Sequence, residues 1–224
     1  KQKREAEMKI LREQIKPHFL YNTLDSIQWM AKRYQAKDIV ETVRALSNFF
    51  RISLSRGKSI ITVRDELEHA RNYLMIQKMR FKNKFTYAID AGEDVMELAS
   101  LKLMLQPLVE NAIYHGMEFM DGDGRIEVTV RREGDDLRFE VKDNGLGMTK
   151  EQADSLLGDE PYVSSRRGSG IGVKNVNERI RLYFGGDYGL FIRSEPDEGT
   201  QVEIRLPARA YKDGEAKTEG SETL

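Results

Sequence analysis

The sequence predicts an α+β chain in which an N-terminal helical hairpin precedes an α/β sandwich. Three observations lead there. A heptad seam runs through the first thirty residues, the character changes near Phe85 to alternating strands, and glycine-rich turns separate those strands from helical stretches.

The opening stretch, KQKREAEMKILREQIKPHFLYNTLDSIQWMAKR, contains no glycine. Met8, Leu11, Ile15, His18, Asn22, Asp25 and Trp29 recur at alternating steps of three and four, the seam of a packed helix. Three of the last four seam positions are polar, which a purely structural coiled coil seldom tolerates. Pro17 removes a backbone donor just before His18 and bends the helix locally. After a break near residues 34–37, Ile39, Val43, Leu46, Phe50 and Leu54 mark a second helix, which Gly57 ends. Two such helices carry a wide apolar face with no third layer to cover it. The expected solution is a homodimer, two hairpins making a four-helix bundle.

A third helix, VRDELEHARNYLMIQKMRF, places Leu67, Ala70, Leu74 and Met75 at helical spacing and leads out of the bundle. His69 reads as a surface residue of this helix, and the later ERIR run as a solvated helix face. From Phe85, FTYAID reads as a strand, LKLMLQPLVENAIYHG as a helix, and RIEVTVRREGDDLRFEVKD as a hairpin turning at Gly134-Asp135-Asp136. A glycine-rich stretch follows, then the helix GVKNVNERIRLYFG and the strands GLFIRSE and GTQVEIRLP. The expected organisation is residues 1–80 as a helical region, 81–210 as the sandwich and 211–224 as a polar, disordered tail.

Composition excludes several classes of function. Basic and acidic residues balance at 36 to 37, net -1, which argues against nucleic-acid binding. There are no cysteines and only three histidines, so neither a disulfide scaffold nor a zinc site is expected. No apolar run approaches the roughly 18 residues of a membrane span. The chain begins without Met inside a charged helical pattern and reads as a piece of a longer protein.

Four short motifs follow one another within residues 106–207: LVENAIYHG, VKDNGLGM, RRGSGIGVKNV and EGTQVEIRLP. A buried carboxylate at a strand end, Asp143, can accept a hydrogen bond from an exocyclic amine. Gly145 and Gly147 let backbone approach a flat base. Gly168, Gly170 and Gly172 ahead of a helix point free N–H groups at phosphates. The Asn111 amide oxygen is a hard ligand suited to Mg²⁺. GSGIG matches neither the P-loop nor the Rossmann fingerprint.

These motifs resemble the N, G1, G2 and final boxes of the GHKL ATPases, whose ATP site is the Bergerat fold, an α/β sandwich on a mixed sheet. The resemblance implies that Asn111 holds Mg²⁺ and Asp143 reads adenine. Gly168, Ser169, Gly170, Ile171 and Gly172 would belong to a lid over the phosphates, with His115, Lys174 and Thr200 as neighbours of the nucleotide. Within that family, QIKPHFLYNTLDSI resembles the H box of the LytS-type sensor histidine kinases. YLMIQKMRFKNKF and LQPLVENAIYHG resemble that subgroup too. By this resemblance His18 is the phosphoacceptor, and Asn22, one turn on, orients phosphate or a water. An acidic residue follows the histidine directly in the larger histidine-kinase class; Phe19 stands there instead. Glu110 is then a candidate general base, or alternatively a capping or Mg²⁺-water-ordering group. A response-regulator receiver domain is the implied partner, and a bacterial cytoplasmic membrane the implied anchor of the parent protein, with this chain on its cytoplasmic side. Alternatives are a GHKL ATPase that drives conformational change and a catalytically silent dimeric scaffold.

Overall fold

The computed structural model describes residues 17–55, 59–117, 120–158 and 171–212. These fall into two compact units that divide after Ser55. The first is the predicted hairpin: helix α1, Pro17–Arg33, and helix α2, Lys37–Ser53. The break falls where expected, and Gln35 reverses the chain with a positive φ of 53°. Leu24, Ala31, Val43 and Ala45 form the buried seam between the two helices. Met8, Leu11, Ile15 and Gly57 lie outside the described residues.

The second unit is built on a five-stranded mixed sheet. Its strands are β2 (Phe85–Ala91), β4 (Gly124–Glu133), β5 (Asp136–Asp143), β6 (Gly189–Glu195) and β7 (Gly199–Pro207), in the order β2-β4-β5-β7-β6. Only β2 and β4 run parallel; the other pairs are antiparallel. The β4–β5 hairpin turns through two residues, with Glu133 paired to Asp136 and Gly134 at φ 64°. One face of the sheet carries Ile126, Val128, Phe139, Val141, Val202 and Ile204, all buried. The other face carries cross-strand ion pairs such as Arg138 with Glu203 at 2.8 Å, the pattern of a sheet with one wet side.

Helices cover the apolar face: α3 (Val63–Arg80), α4 (Leu105–Asn111), α5 (Lys150–Leu157) and α6 (Ile171–Phe184). Helix α3 packs inside this unit, so the contact-defined division comes earlier than the expected boundary at 80/81. Its N-terminus is capped by the Thr62 hydroxyl, which accepts from Asp65 N–H at 3.1 Å.

Three local expectations are corrected. The stretch from Leu101 does not begin as helix: β3 (Ala99–Leu101) pairs antiparallel with β1 (Ile60–Thr62), and α4 starts only at Leu105. Helix α5 lies within the glycine-rich stretch that follows the hairpin, held by a capping box between Thr149 and Gln152. His69 is fully buried, because α3 is enclosed by α4 and the β1–β3 pair on faces the pattern left polar.

Candidate active site

The described candidate residues form one group in each unit. In the hairpin, His18 and Asn22 are both exposed on α1, four residues apart on one face. The Asn22 side-chain amide lies 3.2 Å from His18 Nδ1. The contact atom is the amide nitrogen Nδ2, which can only donate, so Nδ1 is the acceptor and the neutral ring carries its proton on Nε2. The hydroxyls of Thr23 and Ser26 bond back to carbonyls one turn earlier, both at 2.8 Å, and leave the ring alone.

In the sandwich the centre is Asp143, the last residue of β5. Its carboxylate is buried, and Gly145 N–H donates to Oδ1 at 2.9 Å. Burial pushes its pKa up to about 6, against the pull of backbone hydrogen bonds from Gly145 and Thr200. The turn after it is compressed against its neighbours. A Cβ on Gly145 would come within 2.2 Å of Gly116 Cα, and one on Gly147, at φ 61°, within 1.9 Å of the Glu195 carbonyl. Only glycine fits at either place. Thr200 pairs with Asp143 across β5–β7, and its hydroxyl meets Ser194 Oγ at 2.9 Å. Asp143 and Thr200 line a cleft of about 630 Å³ that opens toward α5 and β6. Asn111, His115 and Gly172 are not on its walls, so this cleft is one flank of Asp143 and not the whole cradle.

Asn111 is the last residue of α4, and the chain continues into a π-helical turn, Ala112–Met117. Such wide turns recur at functional sites. This one seats Gly116 beside Asp143 and leaves His115 half-buried. Glu110 accepts from Gln106 Nε2 at 2.8 Å. Gly172, in the first turn of α6, sits against Pro107 of α4, its missing Cβ 3.1 Å from the proline ring. Lys174 donates to the Gly158 carbonyl at 2.8 Å, tying α6 to the end of α5. Gly168, Ser169 and Gly170 lie outside the described residues, as do Arg166 and Arg167. The ERIR run is not wholly solvated: Arg179 reaches across to the Lys102 carbonyl at 2.8 Å and Ile180 is buried.

The donor set suits a Mg-nucleotide. Asp143 offers a buried acceptor beside a glycine turn, where a base can lie flat. Among the described residues no group of three or more acidic or imidazole side chains could hold a metal ion unaided. A magnesium ion would be shared between the Asn111 amide and the nucleotide's own phosphates, as this ion prefers.

Sequence reasoning passed over Gly116, although it closes the LVENAIYHG motif.

The chain is similar to known proteins along most of its length. Residues 6–85 match the family model described as histidine kinase. Residues 97–210 match that described as histidine kinase-, DNA gyrase B-, and HSP90-like ATPase. The sensor histidine kinase YesM of Bacillus subtilis (strain 168) is 39% identical over 206 residues, 92% of this chain and 34% of that protein. The sensor protein LytS of Bacillus anthracis is 32% identical over 206 residues, with the same coverage of 92% and 34%. The chain therefore spans about a third of the length of these curated relatives. Among solved structures, a mycobacterial sensor histidine kinase, MprB, superposes with a TM-score of 0.51 at 16% identity, over 68% of this chain and 98% of that one. At that identity the likeness speaks for the fold alone. With one family matched along its first third and the other along its second half, the chain belongs to the histidine kinases and carries their ATPase-type nucleotide domain.

Proposed function

We propose that this chain is the catalytic core of a sensor histidine kinase that uses Mg-ATP to phosphorylate its own His18 and passes the phosphoryl group to an aspartate of a response-regulator receiver domain. The observation that carries the reading is the coexistence of an exposed imidazole with Asn22 at Nδ1 and a nucleotide-type carboxylate, Asp143, buried at a glycine turn. An imidazole nitrogen of His18 attacks the γ-phosphorus, the N–P bond forms as the bond to the β-phosphate oxygen breaks, and ADP leaves. The proton of the neutral ring goes to Glu110, directly or through one water.

Asp143 accepts from the adenine amine, and Thr200 backs the same wall. The backbone around Gly168–Gly172, with Ser169 and Ile171, covers the phosphates. Lys174 and His115 border that cover. Bound magnesium, held by Asn111, supplies charge neutralisation at the transferring phosphoryl group. Residues 1–80 serve dimerisation and phosphotransfer, 81–210 nucleotide binding, and 211–224 form a tail. The working unit is a homodimer, since the hairpin alone leaves Trp29, Tyr34 and Ile39 in water. The parent protein is anchored in a bacterial cytoplasmic membrane through a part outside this sequence. No helix among the described residues is long and apolar enough to cross a membrane.

The test is incubation with γ-labelled ATP and Mg²⁺. Acid-labile, alkali-stable label is expected on the wild type and none on His18→Gln, with ATP affinity unchanged. Label that survives the substitution overturns the assignment of His18. ATP hydrolysis without any phosphoprotein favours the conformational ATPase instead.

A further inference from the structure

The junction between β3 and α4, residues 102–105, is gripped from three sides. From α3, the fully buried Glu66 carboxylate accepts the backbone N–H groups of Leu103, Met104 and Leu105, each at 2.8 Å. From α6, Arg179 Nη2 donates to the Lys102 carbonyl at 2.8 Å. Just ahead of β1, the Ser59 carbonyl accepts the Lys102 N–H at 2.9 Å. Every backbone N–H from Lys102 to Leu105 is thus taken, and the Lys102 carbonyl with them. Burial raises the Glu66 pKa to about 7, against the pull of the three N–H groups and of the Arg179 charge.

Leu103 stands in the left-handed region, at φ 61°, which L side chains rarely adopt. A residue held so persists only where its surroundings over-determine it, and such residues cluster at working sites. What this one secures is the start of α4. Asn111 ends the same helix, less than two turns beyond Leu105. Over that length a helix is stiff, so its first turn sets the height and rotation of its last. The far end of the run is wedged separately. Gly116 lies against the Asp143 carboxylate, where an added Cβ would meet Oδ1 at 2.9 Å. The π-helical turn at Ala112–Met117 is wider than an α-turn and takes in an extra residue. A loose first turn would let that residue pass back along the run and rotate Asn111 away. With both ends fixed, it stays.

We infer that Glu66 and Arg179 are positioning residues for the phosphate end of the nucleotide: reaching in from α3 and α6, they clamp the Lys102–Leu105 junction and thereby aim Asn111. The inference rests on the kinase reading above, with Asn111 as the magnesium ligand, and adds to it the residues that hold that ligand in place. Neither Glu66 nor Arg179 touches nucleotide in this role. Their effect comes through the seating of α4, where small displacements are costly.

The test measures the affinity of the 224-residue chain for ATP by calorimetry, once in Mg²⁺ and once in EDTA. In the wild type Mg²⁺ is expected to tighten binding, and Asn111→Ala to abolish that gain. Glu66→Gln turns one acceptor oxygen into a donor that faces backbone donors. It is expected to cut the Mg²⁺-dependent gain by about tenfold. The affinity in EDTA should stay within about twofold, because Asp143 still reads the base. Arg179→Ala should show the same split at about threefold, and Arg179→Lys, which can still donate to one carbonyl, should restore the gain. A junction that served stability alone would lower the melting temperature and leave the gain intact. An undiminished gain in Glu66→Gln, or an equal loss with and without Mg²⁺, overturns the inference while the kinase reading stands. If Glu66→Gln does not fold, the arginine pair decides: a full gain in Arg179→Ala overturns the inference. A wild type without the gain, or Asn111→Ala that keeps it, overturns the magnesium assignment and the inference with it.

Discussion

The hairpin and the sandwich solve the same problem differently. The sandwich closes its own core: Leu74, Phe85, Leu105, Leu108, Ile113, Ile126 and Phe139 are all essentially inaccessible to solvent. The hairpin does not. Among its described residues four apolar side chains are buried, while Phe19, Trp29, Met30, Tyr34 and Ile39 stand between 49% and 81% exposed. One unit is finished within the chain; the other presents an apolar face that a second copy would complete. The nucleophile candidate sits on the unfinished unit and the nucleotide residues on the finished one. On the proposed reading, the dimer interface and the helix that carries the nucleophile are the same element.

The largest test of that contrast is in the sandwich core. Phe139→Ala should cost about 3–5 kcal/mol and shift the urea midpoint of the nucleotide domain at any protein concentration. If the midpoint of this variant moved with concentration, the sandwich would not be self-sufficient.

Asp143 sharpens the same point, because there the finished core stores a cost for the sake of a site. Its folded pKa of about 6 lies above the ordinary value of 3.8. The folded state thus holds the proton more tightly than the unfolded chain. Between those two pH values stability falls as pH rises, and above about pH 6 the full penalty, about 3 kcal/mol, is present. Asp143→Asn should therefore raise the melting temperature at pH 7, lose that advantage below about pH 4, and weaken ATP binding. A variant no more stable than wild type at pH 7 would show that the carboxylate is better solvated than its burial implies.

The smallest intrinsic effect belongs to the hairpin. Trp29→Ala should change the stability of dilute, monomeric protein by about 0.5 kcal/mol or less, as for an exposed side chain. The same change should weaken self-association measurably by sedimentation. A stability loss independent of concentration would mean Trp29 packs within its own chain.

Local signals were legible and distant pairings were not. The helix break after Arg33, the two-residue turn at Gly134-Asp135 and the glycines around Asp143 all follow from a few neighbouring residues. Proline, glycine and alternation act over that range. The β1–β3 pair joins segments about forty residues apart, each only three residues long. Neither carries enough alternation to declare itself. Helix α3 misled for a related reason. Its buried set includes Glu66, His69, Asn72 and Gln77, so enclosure on several sides leaves no clean polar stripe to read. His69 consequently read as a surface residue, yet burial, with Lys102 nearby, depresses its pKa to about 4 and keeps it neutral. Helix α5 was hidden by its polar text, although the Thr149-x-x-Gln152 capping box stood in the sequence. At the candidate site, residue types were readable from motifs. The tie that Lys174 makes between α6 and the end of α5 depends on which helices become neighbours.

The strand order also dictates a sequence of events in time. The β4–β5 hairpin, joined by two residues, lies in the interior of the sheet with β2 on one flank and β7 on the other. Hairpins close in roughly 1–10 μs, well before pairings that must first bridge long stretches of chain. Among the pairings of the sheet, the one that can form earliest is therefore the one onto which both flanks add. Asp143 ends that hairpin, so the carboxylate that would read the nucleotide sits on the most local pairing of the sheet, the one that both flanking strands need as a template.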